Sequence, residues 1–211
     1  MKMSTKSKAG DYEYTLVPEG IHDAVIVAVV DLGTQPQPAN TKFADAGPKR
    51  KVYLVWELVE ESTRPIVGKD FTASLNEKAT YRKWIEKLGK KFREDEELDS
   101  AALAVQLAGK KCQVTIEHTK GEKKYNVVTM MVPAKNKQAI NDPEHKPFTY
   151  DIDRDGLPFR GPDWLPYWYG RSIEEVIADC QESKGAPDKE LMGDDEDRDP
   201  VKEPEAKEIP F

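Results

Sequence analysis

Residues 66–88 read IVGKDFTASLNEKATYRKWIEKL, and the hydrophobic period changes inside them. From Ile66 to about Leu75 the residues suit a strand. Beyond it Tyr81, Trp84, Ile85 and Leu88 fall on one face of a 3.6-residue period, and Gly89 supplies the stop. Ser74 with Glu77 predicts a capping box, or Asn76 caps directly. This stretch is therefore a strand running into a helix, and what flanks it decides the fold.

Upstream, Lys49–Glu60 alternates. Val52, Leu54, Trp56 and Leu58 point one way, and Lys51, Tyr53, Val55 and Glu57 the other. Tyr14–Asp31 reads as a first strand with a kink at Pro18–Gly20. Its unbroken apolar run Ala24–Val30 predicts burial on both faces. Residues 33–48, with three prolines, form a long loop between these strands. Downstream, residues 90–97 are solvated charges, and Asp99 or Ser100 caps a helix over Ala101–Ala108. Lys111–His118 is a fourth strand, Lys120–Lys123 around Gly121 a turn, and Lys124–Val132 a fifth strand ended by Pro133.

Five strands with a helix between the third and fourth is the order of the OB-fold. In that small barrel the strand 2–3 face and the 1–2 and 4–5 loops bind single strands or sugars. SH3-like and other small barrels share the strand number. The expected organisation is a flexible N-terminus at 1–11, an OB-fold nucleic-acid-binding domain at 12–133, a Pro/Trp-rich extension with a C-terminal helix packing on the barrel at 134–182, and a disordered acidic tail at 183–211. In the extension Ser172 with Glu175 makes a second capping box, and Ile173, Val176, Ile177 and Cys180 form the helix stripe.

The net charge of -7 is unevenly spread. Residues 1–150 hold 24 Lys and Arg against 21 Asp and Glu, a net of +3, and residues 151–211 hold 8 against 18, a net of -10. The acidity belongs to an interaction tail, so the total does not exclude a nucleic-acid partner. The longest apolar run is too short to span a bilayer, and no apolar stretch follows the basic start, so neither a membrane span nor a secretory signal is expected. Cys112 and Cys180 match no metal-ligand spacing and read as two buried thiols.

The last residues, Glu208-Ile209-Pro210-Phe211, follow the acidic run Asp194–Asp197. This ending resembles that of bacterial single-stranded-DNA-binding proteins, whose acidic tails finish in Ile-Pro-Phe. The resemblance implies that a partner protein seats the Phe211 side chain in an apolar pocket rimmed by basic residues, with Glu208, Ile209 and Pro210 completing the contact. Lys207 interrupts the acidic run here. The segment Pro162-Asp-Trp-Leu-Pro166, followed by a helix, is similar to phage-encoded OB-fold single-stranded-DNA-binding proteins. That resemblance implies action in replication, recombination and repair in the cytoplasm of a bacterial host, with no cofactor and no catalysis.

Single-strand binding needs cations for phosphates and aromatic faces for bases. The candidates are Lys42 and Phe43 in the 1–2 loop, Lys49, Arg50, Lys51 and Tyr53 on strand 2, Lys69 and Phe71 on strand 3, and Lys120, Lys123, Lys124 and Tyr125 at the 4–5 turn. Each also has a structural reading: Lys51 and Tyr53 as a solvated strand face, the lysine turn as a soluble hairpin, Phe71 as core. Trp56, Tyr81 and Trp84 keep step with apolar faces and read as core. Trp164 and Trp168 pin the extension, or else stack on bases or form a dimer contact. Two other function classes stay open. One is a protein-binding small-barrel adaptor without DNA affinity. The other is a metal-dependent nuclease built on Asp142, Glu144 and Lys146, disfavoured because Pro143 and Pro147 flank that element.

Overall fold

The computed structural model describes residues 16–36, 47–60, 62–93, 99–121, 123–166, 168 and 170–180. These fold as a mainly antiparallel sheet with short helices. The strands are β1 (Gly20–Gln35), β2 (Lys49–Leu58), β3 (Ile66–Thr72), β4 (Lys111–His118), β5 (Asn126–Pro133) and β6 (Phe148–Tyr150). The helices are α1 (Thr80–Lys87), α2 (Ser100–Leu107), α3 (Ile152–Asp155) and α4 (Ile173–Asp179).

The sheet runs β3-β2-β1-β4-β5, with β6 added in parallel on β1 at Ala28–Val30. α1 sits between β3 and β4 in sequence and packs on both β3 and β5, whose Cα atoms approach within 8 Å. β1 is the spine: Ala24–Leu32 is buried throughout, as its unbroken apolar run predicts. One side feeds a core of Ile26, Leu54, Trp56, Ile85, Ile116 and Met131. The other feeds a second core in which Val30, Leu32 and Val55 meet Tyr150, Trp168, Val176 and Ile177 of the chain after β5. That extension therefore covers the outer side of β2 and of β1 from Val27 to Leu32. Burying these apolar faces is the main stabilising contribution.

Several boundaries differ from expectation: β1 starts at Gly20, after the predicted kink, and β2 and β3 end at Leu58 and Thr72. β1 continues past Asp31 because Gly33, at φ 67°, absorbs a register slip and carries the ladder to Gln35. Neither predicted cap starts α1: Ser74 Oγ accepts from Asn76 N (3.3 Å) and Asn76 Oδ1 from Lys78 N (3.0 Å), so both side chains close turns, and the N-cap is Ala79. β5 begins at Asn126, since Lys124 and Tyr125 belong to the loop. β6 was not foreseen. By contrast, Asp99 caps α2, and Ser172 and Glu175 form the capping box that starts α4. No helix among the described residues is long and apolar enough to cross a membrane.

Candidate nucleic-acid interface

The β4–β5 hairpin is closed by one threonine. Thr119 N donates to Tyr125 O (3.0 Å), while Thr119 Oγ1 accepts from Tyr125 N (3.0 Å) and donates to Lys123 O (3.3 Å). With the loop backbone so engaged, Lys120, Lys123 and Lys124 stand exposed beside Tyr125, itself 48% exposed. His118 anchors the base: its Nε2 lies 2.7 Å from Val17 O, and its backbone N donates to Glu19 (2.8 Å). Three cations and one exposed aromatic ring thus share a single turn.

The basic start of β2 is arranged differently. Arg50 forks onto Asp31, donating from Nε (3.1 Å) and Nη2 to Oδ2, and reaches Asp153 Oδ2 at 2.8 Å. Asp31, Asp151 and Asp153 gather their carboxylates within 4.8 Å of one another, and the guanidinium pairs with two of them, Asp31 and Asp153. The fork to Asp31, working against partial burial, pushes the Arg50 pKa up from its already high value. Burial alone would raise the Asp151 pKa, but the Ser100 hydroxyl, the N–H groups of Arg154 and Asp153 and the charge of Arg50 hold it low. Arg50 is thus a structural ion-pair member, not a free phosphate ligand. Lys51 lies 3.5 Å from Asp70 and 3.4 Å from Thr72 Oγ1. Lys49 is half-buried opposite Gln35.

Neither strand aromatic offers a face to a base. Tyr53 does point away from the first core, as alternation predicts, but it is only 4% exposed within the second. Its ring lies across Gly68, where any Cβ would collide with it. Phe71 is equally buried in the first core, in edge contact with Trp84 at 4.9 Å between centroids. Lys69 sits over that aromatic pair, 5.5 Å from the Trp84 ring. Trp56, Tyr81 and Trp84 are core residues, as their phase indicates. Trp164 half-buries against His145, and Trp168 joins the second core, so both pin the extension.

The two basic groups lie at opposite ends of the sheet. Lys49–Lys51 pair with Gly33–Gln35 at the C-terminal end of β1, and the hairpin adjoins Gly20 at its N-terminal end. Lys42, Phe43 and the tail residues Glu208, Ile209, Pro210 and Phe211 lie outside the described residues. Two exposed apolar residues near the hairpin, Ile21 and Met130, were not singled out from sequence. The signal for Met130 is hidden by a bulge in the β4–β5 ladder that breaks the two-residue period.

The Asp142–Lys146 element carries no strand. Asp142 turns to Lys111 (2.7 Å), and Glu144 lies 3.9 Å from Arg64. The backbone N–H groups of Glu144 and His145 donate to buried Glu57 (2.8 and 3.0 Å). No protein-family model and no curated protein matches this chain.

Proposed function

We propose that this chain binds single-stranded DNA without strong sequence preference, using the β4–β5 hairpin as its phosphate- and base-contacting element. The observation that carries the reading is the joint exposure of Lys120, Lys123, Lys124 and Tyr125 on one closed turn. Cations there meet phosphates, and Tyr125 stacks on a base, an interaction that every base provides. The strand order and the approach of β3 to β5 support a sheet that curls into an OB-type barrel. The acidic tail, whose ending resembles that of bacterial single-stranded-DNA-binding proteins, then recruits replication or recombination proteins through Ile209–Phe211.

Fluorescence anisotropy of a labelled oligo-dT with the full chain tests this at low and moderate salt. Saturable binding that weakens steeply with salt is expected, because phosphate contacts release counterions. Removing Ile209–Phe211 should spare that binding and abolish capture of partner proteins. Absence of oligo-dT binding at low salt refutes the proposal. If partner capture persisted without it, the chain would be a protein-binding adaptor instead.

A further inference from the structure

The outer side of β2 and of β1 from Val27 to Leu32, where alternation places Tyr53, is closed by the extension. Among the described residues, the outward positions of β2 and β3 expose no aromatic ring, so a nucleic-acid strand needs another platform. One lies beside the hairpin. Ile21 on β1 stands opposite Thr115 on β4, and Thr115 stands opposite Met130 on β5. Ile21 is 67% exposed and Met130 46%. The ladder slips between Thr115 and Ile116, so Val128 and Met131 both face the core while Thr129 and Met130 both face out. The slip thus presents a long, polarisable side chain that regular alternation would not place there.

This uncovered row starts three residues along β4 from His118, where the hairpin opens onto Tyr125 and the lysines. We infer that the single strand, held at its phosphates by Lys120, Lys123 and Lys124, crosses the outer face of β5, β4 and β1 with its bases on Tyr125, Met130 and Ile21. The inference rests on the reading that the chain binds single-stranded DNA. At the turn three lysines outnumber the exposed Glu19 and Glu117 beside them, and that balance favours a polyanion. A polynucleotide brings negative phosphates to the lysines and apolar base faces to the row, whereas a second copy would bring a second set of lysines to the same patch.

The test uses the full chain and a labelled oligo-dT of about 16 nucleotides, the upper end of single-domain site sizes. The variants are Tyr125→Ala, Ile21→Glu with Met130→Glu, and a control, Val105→Glu, exposed on α2. Thermal unfolding confirms that each is folded. Tyr125→Ala and the double variant should bind about tenfold or more weakly, and the control within about twofold of wild type. Oligonucleotides carrying 5-iodouracil should cross-link to the peptide spanning Tyr125–Met130, which tests the path in the unmodified protein. If wild type binds but the variants match it, or adducts fall on β2 and β3, the path is wrong while the DNA-binding reading stands. If wild type does not bind, both fall. A wild-type dimer that the double variant converts to monomer, with DNA affinity unchanged, assigns the row to a second copy and overturns the inference.

Discussion

Glu57→Gln should destabilise the protein although it changes a single atom type. The Glu57 side chain is fully buried, and its two oxygens accept from Glu144 N (2.8 Å), His145 N (3.0 Å), His145 Nδ1 (2.8 Å) and Arg64 Nη1 (3.4 Å). An amide retains one accepting oxygen, and its NH₂ must face two of these donors whichever way it is turned. Each buried donor left unsatisfied costs roughly 1–3 kcal/mol. Because residues 141–147 are largely at the surface, the loop relaxes partly toward water, which places the total near the lower half, about 2–4 kcal/mol. With a urea m-value of about 2–3 kcal/mol/M, the unfolding midpoint should fall by roughly 1 M or more. Urea unfolding followed by tryptophan fluorescence measures this, since Trp164 rests on His145 at 4.7 Å.

The pH dependence has a definite sign. Burial alone would raise the Glu57 pKa, but the N–H groups of Glu144 and His145 and the His145 ring hold it below its ordinary 4.5. A depressed folded-state pKa gives stability that is present above the unfolded value and is lost as pH falls through the folded one. The gap between wild type and Glu57→Gln should therefore be widest near neutrality and shrink as pH drops below about 4.5. A midpoint shift under roughly 0.3 M at pH 7, or a gap that widens in acid, would refute the role of this carboxylate as the anchor between β2 and the extension.

Arg50→Met should destabilise the protein in chemical denaturation, since it leaves Asp31, only 5% exposed at its side chain, beside Asp153 without its cation. The loss should be less than the roughly 3–5 kcal/mol of a fully buried pair, because the Arg50 side chain is 38% exposed. Arg50→Lys should recover part of that loss, and equal stability of all three proteins would contradict the ion-pair assignment. Gly33→Ala should destabilise by at least about 1 kcal/mol, since φ there is 67° and a Cβ would strike Cys180 Sγ; Cys180→Ala in the same chain should restore only the contact part. Cys112 is wholly buried, which pushes its thiol up to about 12, so it should resist iodoacetamide at pH 8 until denaturant is added; rapid labelling of the native protein would show the core placement to be wrong.

Local features were legible where local forces decide them. β4 occupies Lys111–His118 as its alternation predicts, and Ser172 and Glu175 form their capping box because both partners lie within one turn. The start of α1 departs from both predicted caps because Ser74 and Asn76 are equally competent to close turns, which is what they do. β6 was invisible: three residues after Pro147 are too short for a periodic signal, and their pairing is to Ala28–Val30, far away in sequence. Tyr53 shows the limit for the site. Its outward direction follows from alternation, but what covers it is Tyr150, Ile152 and the aromatic extension, which no local pattern connects to β2. Arg50 likewise looked like a free cation until Asp31 and Asp153 were brought beside it. The hairpin group was readable because its four residues fall within one six-residue stretch, 120–125, and the turn is set locally by Thr119.

The central claim, that the β4–β5 hairpin engages a single strand, is tested most directly by the salt dependence of oligo-dT affinity for wild type and for Lys120→Ala/Lys123→Ala/Lys124→Ala. Wild type should bind at low salt. The triple variant should bind more weakly, with a log–log salt slope shallower by about 2, since each lost phosphate contact on a single strand removes about 0.7. Identical affinity and slope for the two proteins, or no binding by wild type, would contradict the account.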